Sequence, residues 1–135
     1  MTDRELLELA KEASFRAHAP YSKISVGAAL LSKSGRVYLG ANIENSAYSP
    51  SLCAERVALC AAIMAGEREF ESIAVFARGE DGPLAAFPPC GVCRQALAEF
   101  CDDGFTVILD GGKKFTLGEL FPARFDKSRL ADTEG

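Results

Sequence analysis

Cys53-Ala54-Glu55 and, later in the chain, Pro89-Cys90-Gly91-Val92-Cys93 are the two stretches of this sequence that bear most on its fold. Together they supply three thiols and one carboxylate. Thiolates favour zinc among the metals common in proteins, and a zinc ion with three protein ligands keeps its fourth position for water, as catalytic sites do. The pattern therefore predicts one catalytic Zn²⁺ per chain on Cys53, Cys90 and Cys93, with Glu55 beside it to move protons.

Both stretches lie where a helix is predicted to begin. Ser49-Pro50-Ser51 is a helix-start pattern before an apolar helix over 52–65, which is expected to be buried. A second predicted helix, over 90–101, follows two prolines. Residues two apart do not share a helix face, so Cys53 and Glu55 can approach one ion only beyond the helix end. The helix dipole and free N–H groups lower thiol pKa values there. We therefore expect two helix N-termini to face the same ion.

Arg56 is the candidate counter-charge for this site. Three thiolates on Zn²⁺ leave a net charge of about −1, which weakens the acidifying effect of the ion on water. Arg56 follows Glu55 and lies one helical turn from Cys53. We expect its guanidinium to hydrogen-bond to a thiolate sulfur and so to support the ligand from outside the coordination shell. The alternative is a surface arginine in an ion pair.

The other segments alternate between helix and strand patterns. A capping box from Thr2 to Glu5 begins a helix that ends before Pro20. One α/β domain over 1–135 fits this alternation, with about five strands, helices on both faces of the sheet and a frayed tail over 126–135. The strands are predicted over 26–31, 36–39, 73–76, 105–109 and 114–116.

Composition and charge exclude several classes of partner. The chain has 135 residues, of which 48% are hydrophobic, and a net charge of −4 without a basic cluster. A nucleic-acid polymer is disfavoured, because its phosphates require a stripe of Lys and Arg. No apolar run reaches the roughly 18 residues of a membrane span. The start of the chain is charged rather than signal-like, and five cysteines suit reduced thiols, so we expect a cytoplasmic protein.

Two alternatives to a catalytic zinc site stay open at this point. A structural zinc module needs a fourth protein ligand, for which His18, Cys60 and Cys101 are the candidates. Cys60 lies nearly two turns beyond Cys53, and Cys101 is typical of a core residue that closes its helix. A redox dithiol at Cys90 and Cys93 is the other alternative, but it does not account for Cys53 with Glu55.

The wider sequence resembles the small zinc-dependent cytidine deaminase family. C-x-E followed by P-C-x-x-C is similar to the zinc deaminase motif in an all-cysteine form. The resemblance runs from about Ala19 to Phe125. It implies a three-layer α/β/α sandwich with a mixed sheet. The segments that carry it are Pro20-Tyr21-Ser22-Lys23, Val26-Gly27-Ala28-Ala29-Leu30, Asn42-Ile43-Glu44-Asn45, Cys53-Ala54-Glu55-Arg56 and Pro89-Cys90-Gly91-Val92-Cys93-Arg94-Gln95.

The same resemblance implies a reaction. It is the zinc-dependent hydrolytic deamination of cytidine and deoxycytidine to uridine and deoxyuridine, with release of ammonia, in pyrimidine salvage. Glu55 is expected to take a proton from water, to deliver it to N3 of the cytosine ring and then to protonate the departing amino group. The partner is therefore a small nucleoside, and no organic cofactor is required.

The resemblance further implies the contacts of the substrate. Asn42 and Glu44 are expected to bind the ribose hydroxyl, and residues two apart on a strand do project to the same side. Ala54 is a further implied substrate contact. A homotetramer is implied, with sites completed by neighbouring chains, and Tyr48 and Phe125 match positions that act in this way.

Ile24 is the main departure from the family pattern. The family commonly has Phe at this position, where the ring packs against the pyrimidine, and Ile24 can supply apolar contact without ring stacking. This difference keeps open a second function, the deamination of a nucleoside-like antibiotic or a modified nucleoside.

Overall fold

One side of the sheet is an antiparallel hairpin of two strands, β1 (Ser25–Ser32) and β2 (Val37–Ala41), with β2 at the edge. The structure is a computed structural model that describes residues 1–131. In the turn, Gly35 has a φ of +91°, a conformation that glycine adopts without a steric penalty. The strands predicted over 26–31 and 36–39 are therefore confirmed as the two arms of this hairpin.

The remaining strands make the sheet mixed. β3 (Phe70–Gly79) pairs antiparallel with β1 and parallel with β5 (Thr106–Leu109), and β6 (Lys114–Thr116) pairs antiparallel with β5. The order is β2-β1-β3-β5-β6, and β4 (Gly82–Leu84) pairs with the end of β3. The described residues thus hold six strands. The sequence predicts a loop at β4 because a three-residue edge strand with Gly and Pro has no alternating pattern.

Helices cover both faces of the sheet. Along β1, Ala28 and Leu30 enter the core beneath α2 and α3, whereas Ala29 and Leu31 enter the core beneath α1. This division confirms the expected three-layer α/β/α sandwich. The helices of the described residues are α1 (Asp3–Ser14), α2 (Ala54–Met64), α3 (Gly91–Ala98), α4 (Leu117–Leu120) and α5 (Lys127–Ala131).

Two strand glycines let the helices lie directly on the sheet backbone. A Cβ atom on Gly27 would stand 1.9 Å from the carbonyl oxygen of Ala10 in α1. A Cβ atom on Gly40 would stand 2.3 Å from the carbonyl oxygen of Ala54, the first residue of α2. Gly40 therefore sets how closely the N-terminus of α2 approaches the sheet, which matters because that terminus carries Cys53.

The surface of α2 differs from the sequence prediction. The nearly continuous apolar pattern over 52–65 predicts a helix that is buried all round, but Cys60 and Ala61 are exposed and 86% of Met64 is exposed. The prediction of full burial is wrong for the isolated chain. An apolar pattern reports which faces avoid water, and it does not say whether this chain or another chain covers them.

The C-terminal segment is partly described. The sequence predicts a frayed tail over 126–135; within it, Lys127–Ala131 forms the short helix α5, and residues 132–135 lie outside the described residues. The prediction of one domain over 1–135 stays a prediction. Within residues 1–131, no helix has both the length and the apolar character needed to cross a membrane.

Candidate active site

Three cysteine thiols meet between the N-termini of α2 and α3. The Sγ atoms of Cys53, Cys90 and Cys93 lie within 4.8 Å of one another. Cys53 is the N-cap of α2 and Cys90 the N-cap of α3, and neither thiol caps its own helix, so both are free to face the neighbouring helix. Cys93 lies one turn into α3 and is fully buried. This donor set fits one Zn²⁺, as the sequence predicts.

The pKa values of these thiols differ because of their contacts with one another. Hydrogen bonding from the Cys93 thiol, with a smaller contribution from Arg56, lowers the pKa of Cys53 to about 5. The same hydrogen bond to Cys53, together with burial and the nearby charge of Glu55, raises the pKa of Cys93. In the metal-free chain one thiol therefore ionises while its neighbour keeps its proton. A bound cation allows the thiolates to share the site.

Glu55 is the buried carboxyl group of the site. It lies in the first turn of α2, and only 4% of it is exposed. Burial raises its pKa to about 7, and the negative charge of Cys53 adds to the effect. A carboxyl group that titrates near neutral pH can both take up and release a proton, which suits general acid–base catalysis.

Arg56 lies on the outer side of the thiols. Its Nη2 atom stands 3.8 Å from Sγ of Cys53 and 3.4 Å from the carbonyl oxygen of Ser51. Its Nε atom is buried and has no hydrogen-bond partner among the described residues. The guanidinium therefore contacts the sulfur of one predicted metal ligand, Cys53, as expected from the sequence. The effect of Arg56 on the metal stays a prediction.

A cavity of about 400 Å³ opens from the thiols and Glu55 towards β1. It brings Glu55 together with four of the predicted substrate contacts: Ile24, Asn42, Glu44 and Ala54. Its walls are predominantly apolar, with a few polar groups, as is usual for small-molecule sites. The complete lining is Ser22, Ile24, Val26, Asn42, Glu44, Ser51, Leu52, Cys53, Ala54, Glu55, Phe87, Pro88 and Cys90.

Asn42 and Glu44 line the same cavity as the thiols, and both are held by hydrogen bonds with the backbone. Asn42 accepts a hydrogen bond from Val26 N–H (2.8 Å) and donates one to the Ile24 carbonyl (2.9 Å). The Glu44 carboxylate accepts hydrogen bonds from the backbone N–H groups of Tyr21 and Ser22 and from the Ser22 hydroxyl. The Ser22 hydroxyl is the main cause of its lowered pKa. Both side chains keep free lone pairs or N–H groups for a ligand.

Tyr48 and Phe125 do not reach the cavity of their own chain. Tyr48 is 72% exposed, and its ring packs edge-to-face on Tyr21 with centroids 6.1 Å apart. Phe125 is 60% exposed, and its carbonyl accepts a hydrogen bond from Gln95 Nε2 at 2.9 Å. The predicted substrate contact of each residue, completed from a neighbouring chain, stays a prediction.

None of the candidate fourth ligands joins the thiols. Within residues 1–131 the cluster has three members. Cys60 is exposed on α2, and Cys101, which follows α3 rather than closing it, is buried with its pKa raised to about 12 by desolvation. The backbone N–H of His18 donates to the Asn42 carbonyl, and its carbonyl accepts from the N–H of Glu44. The described residues therefore leave a fourth position open on the metal, which disfavours a structural zinc module.

Three further residues contribute to the site but have no role assigned to them from the sequence. Ser22 holds Glu44, and Phe87 lines the cavity. Arg94 donates from Nε to the Pro89 carbonyl (2.8 Å) and from Nη1 to the Leu120 carbonyl (2.6 Å), so it fixes the backbone before Cys90. The available signals were the segments of the family resemblance, which include Ser22 and Arg94, and the position of Phe87 just before the two prolines.

The chain resembles known proteins both in sequence and in fold. Residues 1–109 match the family model described as the cytidine and deoxycytidylate deaminase zinc-binding region. The chain is 44% identical to the cytidine deaminase of Sporosarcina psychrophila, over 97% of this chain and 96% of that protein. The blasticidin-S deaminase of Bacillus cereus is 30% identical, over 93% and 94%. The crystal structure of cytidine deaminase from Burkholderia pseudomallei superposes with a TM-score of 0.85 and 40% identity, covering 93% of this chain and all of that chain.

The fold and the three-cysteine site define a zinc-binding hydrolytic deaminase. More particularly, the chain belongs to the cytidine and deoxycytidylate deaminase family, since the family model covers most of it and a named cytidine deaminase is 44% identical along nearly its whole length. The resemblance, the zinc cofactor and the fold class expected from the sequence are therefore confirmed.

Proposed function

We propose that this protein deaminates cytidine and deoxycytidine to uridine and deoxyuridine, with release of ammonia. One observation carries the proposal. The cavity of about 400 Å³ is lined both by the buried Glu55 with two of the thiols and by the backbone-held Asn42 and Glu44. A cytosine nucleoside presents the two matching features, a reactive amidine and ribose hydroxyls.

The three thiols and Glu55 account for the chemistry. Cys53, Cys90 and Cys93 would hold Zn²⁺, which lowers the pKa of water when bound. Glu55 then takes a proton from water and gives it to N3, so that C4 accepts the water oxygen. Glu55 next takes the proton of the new C4 hydroxyl and passes it to the amino nitrogen as the C4–N bond breaks and the C4 carbonyl forms. One water is consumed and one ammonia leaves, and Glu55 returns to its starting state.

Asn42 and Glu44 account for the choice of a nucleoside over a free base. Hydrogen bonds from Ser22 and two backbone N–H groups keep Glu44 ionised, and a carboxylate accepts strongly from a hydroxyl donor. Asn42 is held in one orientation by Val26 and Ile24. Both groups are therefore in place before a ligand binds, which reduces the entropy cost of binding.

A side-by-side assay of zinc-loaded protein tests the function. Cytidine, deoxycytidine and cytosine are compared by loss of ultraviolet absorbance and by release of ammonia, with chelator-treated protein as the control. We expect turnover of both nucleosides and little or none of cytosine. Equal kcat/KM for cytosine and cytidine, or no turnover of either nucleoside, would contradict the proposal.

A nucleoside-like antibiotic is the second candidate substrate. The 30% identity to a blasticidin-S deaminase supports it, as does the aliphatic Ile24 in the cavity wall. Blasticidin S in the same assay distinguishes the two candidates. We expect a lower kcat/KM for it than for cytidine, and the reverse order would favour the antibiotic.

We also propose that the protein is a cytoplasmic homotetramer that serves pyrimidine salvage. The exposed apolar face of α2, at Cys60, Ala61 and Met64, supports association. Tyr48 and Phe125 are exposed outside their own cavity, where a neighbouring chain could receive them. Light scattering after gel filtration measures the mass in solution, and a monomer would contradict this assembly. Cell fractionation tests the location.

A further inference from the structure

We propose that Phe87 packs on the face of the pyrimidine ring and selects planar, unsaturated bases. The inference rests on the nucleoside function proposed above. Among the described residues that line the cavity, Phe87 is the only one with an aromatic side chain. The other apolar walls are aliphatic, from Ile24, Val26, Leu52 and Ala54.

The segment that carries Phe87 also carries a metal ligand. Phe87, Pro88 and Cys90 all line the cavity from one short segment, so the ring comes from the same loop as a metal ligand. Phe87 is half-buried and packs against the main core together with Ile24. It is therefore anchored on one side and faces the cavity on the other.

The backbone before Phe87 is held in an uncommon conformation. Ala86 has a φ of +53°, in the left-handed region that alanine rarely adopts. Its N–H donates to the Asp110 carbonyl at 3.0 Å, and the strand before it, β4, is paired to β3. Strained residues persist where their surroundings fix them, often at ligand sites. At this site the turn at Ala86 brings the following residue to the cavity wall.

Ring stacking would add selectivity that the aliphatic walls lack. Aliphatic side chains contact a flat or a puckered ring about equally well through buried area. An aromatic face interacts additionally with a planar π-system, as it does in base recognition generally. Phe87 would therefore favour cytosine and uracil rings over a pyrimidine that is saturated at its 5,6 bond.

The first test is Phe87→Leu in zinc-loaded protein. We expect KM for cytidine to rise by roughly 2- to 12-fold, which corresponds to the usual contribution of an aromatic pair beyond its buried area. Zinc content and kcat should stay close to those of the parent protein. Phe115→Leu is the matched control, because Phe115 is also half-buried against the same core but does not line the cavity. Its KM should not change.

The second test separates stacking from shape. Inhibition is measured with uridine, which is planar, and with a ring-saturated uridine analogue. Phe87→Leu should weaken the binding of uridine more than the binding of the saturated analogue. Phe87→Tyr should restore the binding of uridine. Equal weakening of both inhibitors would mean that Phe87 only shapes the cavity, which would overturn the proposal.

The outcomes remain distinguishable from failure of the proposed function. An unchanged KM for Phe87→Leu in an active enzyme overturns the stacking role alone, whereas a parent protein without nucleoside turnover overturns both. If Phe87→Leu does not retain zinc, the KM for cytidine and the two inhibitions are measured on Phe87→Met instead. Methionine keeps much of the volume of the side chain without its ring.

Discussion

Two groups of residues at the cavity, named the metal end and the proposed ribose end, are built in different ways. The metal end, formed by Cys53, Glu55, Cys90 and Cys93, comes from the N-termini of two helices and from two short sequence motifs. The ribose end, formed by Ser22, Asn42 and Glu44, comes from loops and strand ends that are joined by hydrogen bonds between distant segments.

This difference separates chemistry from recognition. At the metal end the thiols contact one another and the carboxyl group is buried, so the pKa values there are strongly shifted. At the ribose end the polar groups are already paired with the backbone. We infer that substitutions at the metal end act on zinc content or kcat, whereas those at the ribose end act on KM.

The largest expected effect is the loss of the metal in Cys93→Ala. Zinc should fall from about one ion per chain to near none, with loss of all turnover, because two thiols cannot replace three ligands. Metal analysis after gel filtration measures it. Cys101→Ala is the control and should keep its zinc. Loss of zinc from the Cys101 variant would instead identify that thiol as a fourth ligand.

The next largest effect is expected for Glu55→Gln. The amide keeps the shape of the side chain but cannot carry protons, so kcat should fall by about 10²–10⁴ while zinc is retained. Steady-state rates and metal content measure the two quantities. Glu8→Gln, on the exposed surface of α1, should match the parent protein. Near-parental turnover in Glu55→Gln would remove Glu55 from its role.

Arg56→Gln should have an intermediate effect. The loss of a positive charge beside Cys53 should raise the pKa of that thiol towards its usual value and weaken metal retention or activity by about 10- to 100-fold. Competition with a zinc chelator and steady-state rates measure it. Arg4→Gln, exposed on α1, is the control. Unchanged zinc affinity and unchanged rate would leave Arg56 as an ordinary half-buried arginine.

The smallest effect is expected at the ribose end, for Glu44→Gln. KM for cytidine should rise by roughly tenfold, the lower range for a hydrogen bond to a charged group, while zinc content stays unchanged. Ser22→Ala keeps the carboxylate and removes one of its donors, so its KM should rise less. A fall in kcat without a change in KM would break the division between the two ends.

The residues of the metal end were predictable because their signals are local. Cys53 and Cys90 follow helix-start patterns, and a helix N-terminus is encoded within a few residues. Ser22 and Phe87 carry no such pattern. Their importance arises from Glu44, which lies far along the chain from Ser22, and from the turn at Ala86, whose N–H is fixed by Asp110.

The sequence by itself determined the thiols, the carboxyl group, the order of the main helices and of five of the strands, and the family, since each depends on short-range spacing and on hydrophobic periodicity. Only the tertiary structure decided which residues share the cavity, how strongly burial shifts the pKa of Glu55 and which face of α2 remains exposed. These properties depend on desolvation and on contacts between distant segments, and a linear pattern does not record either of them.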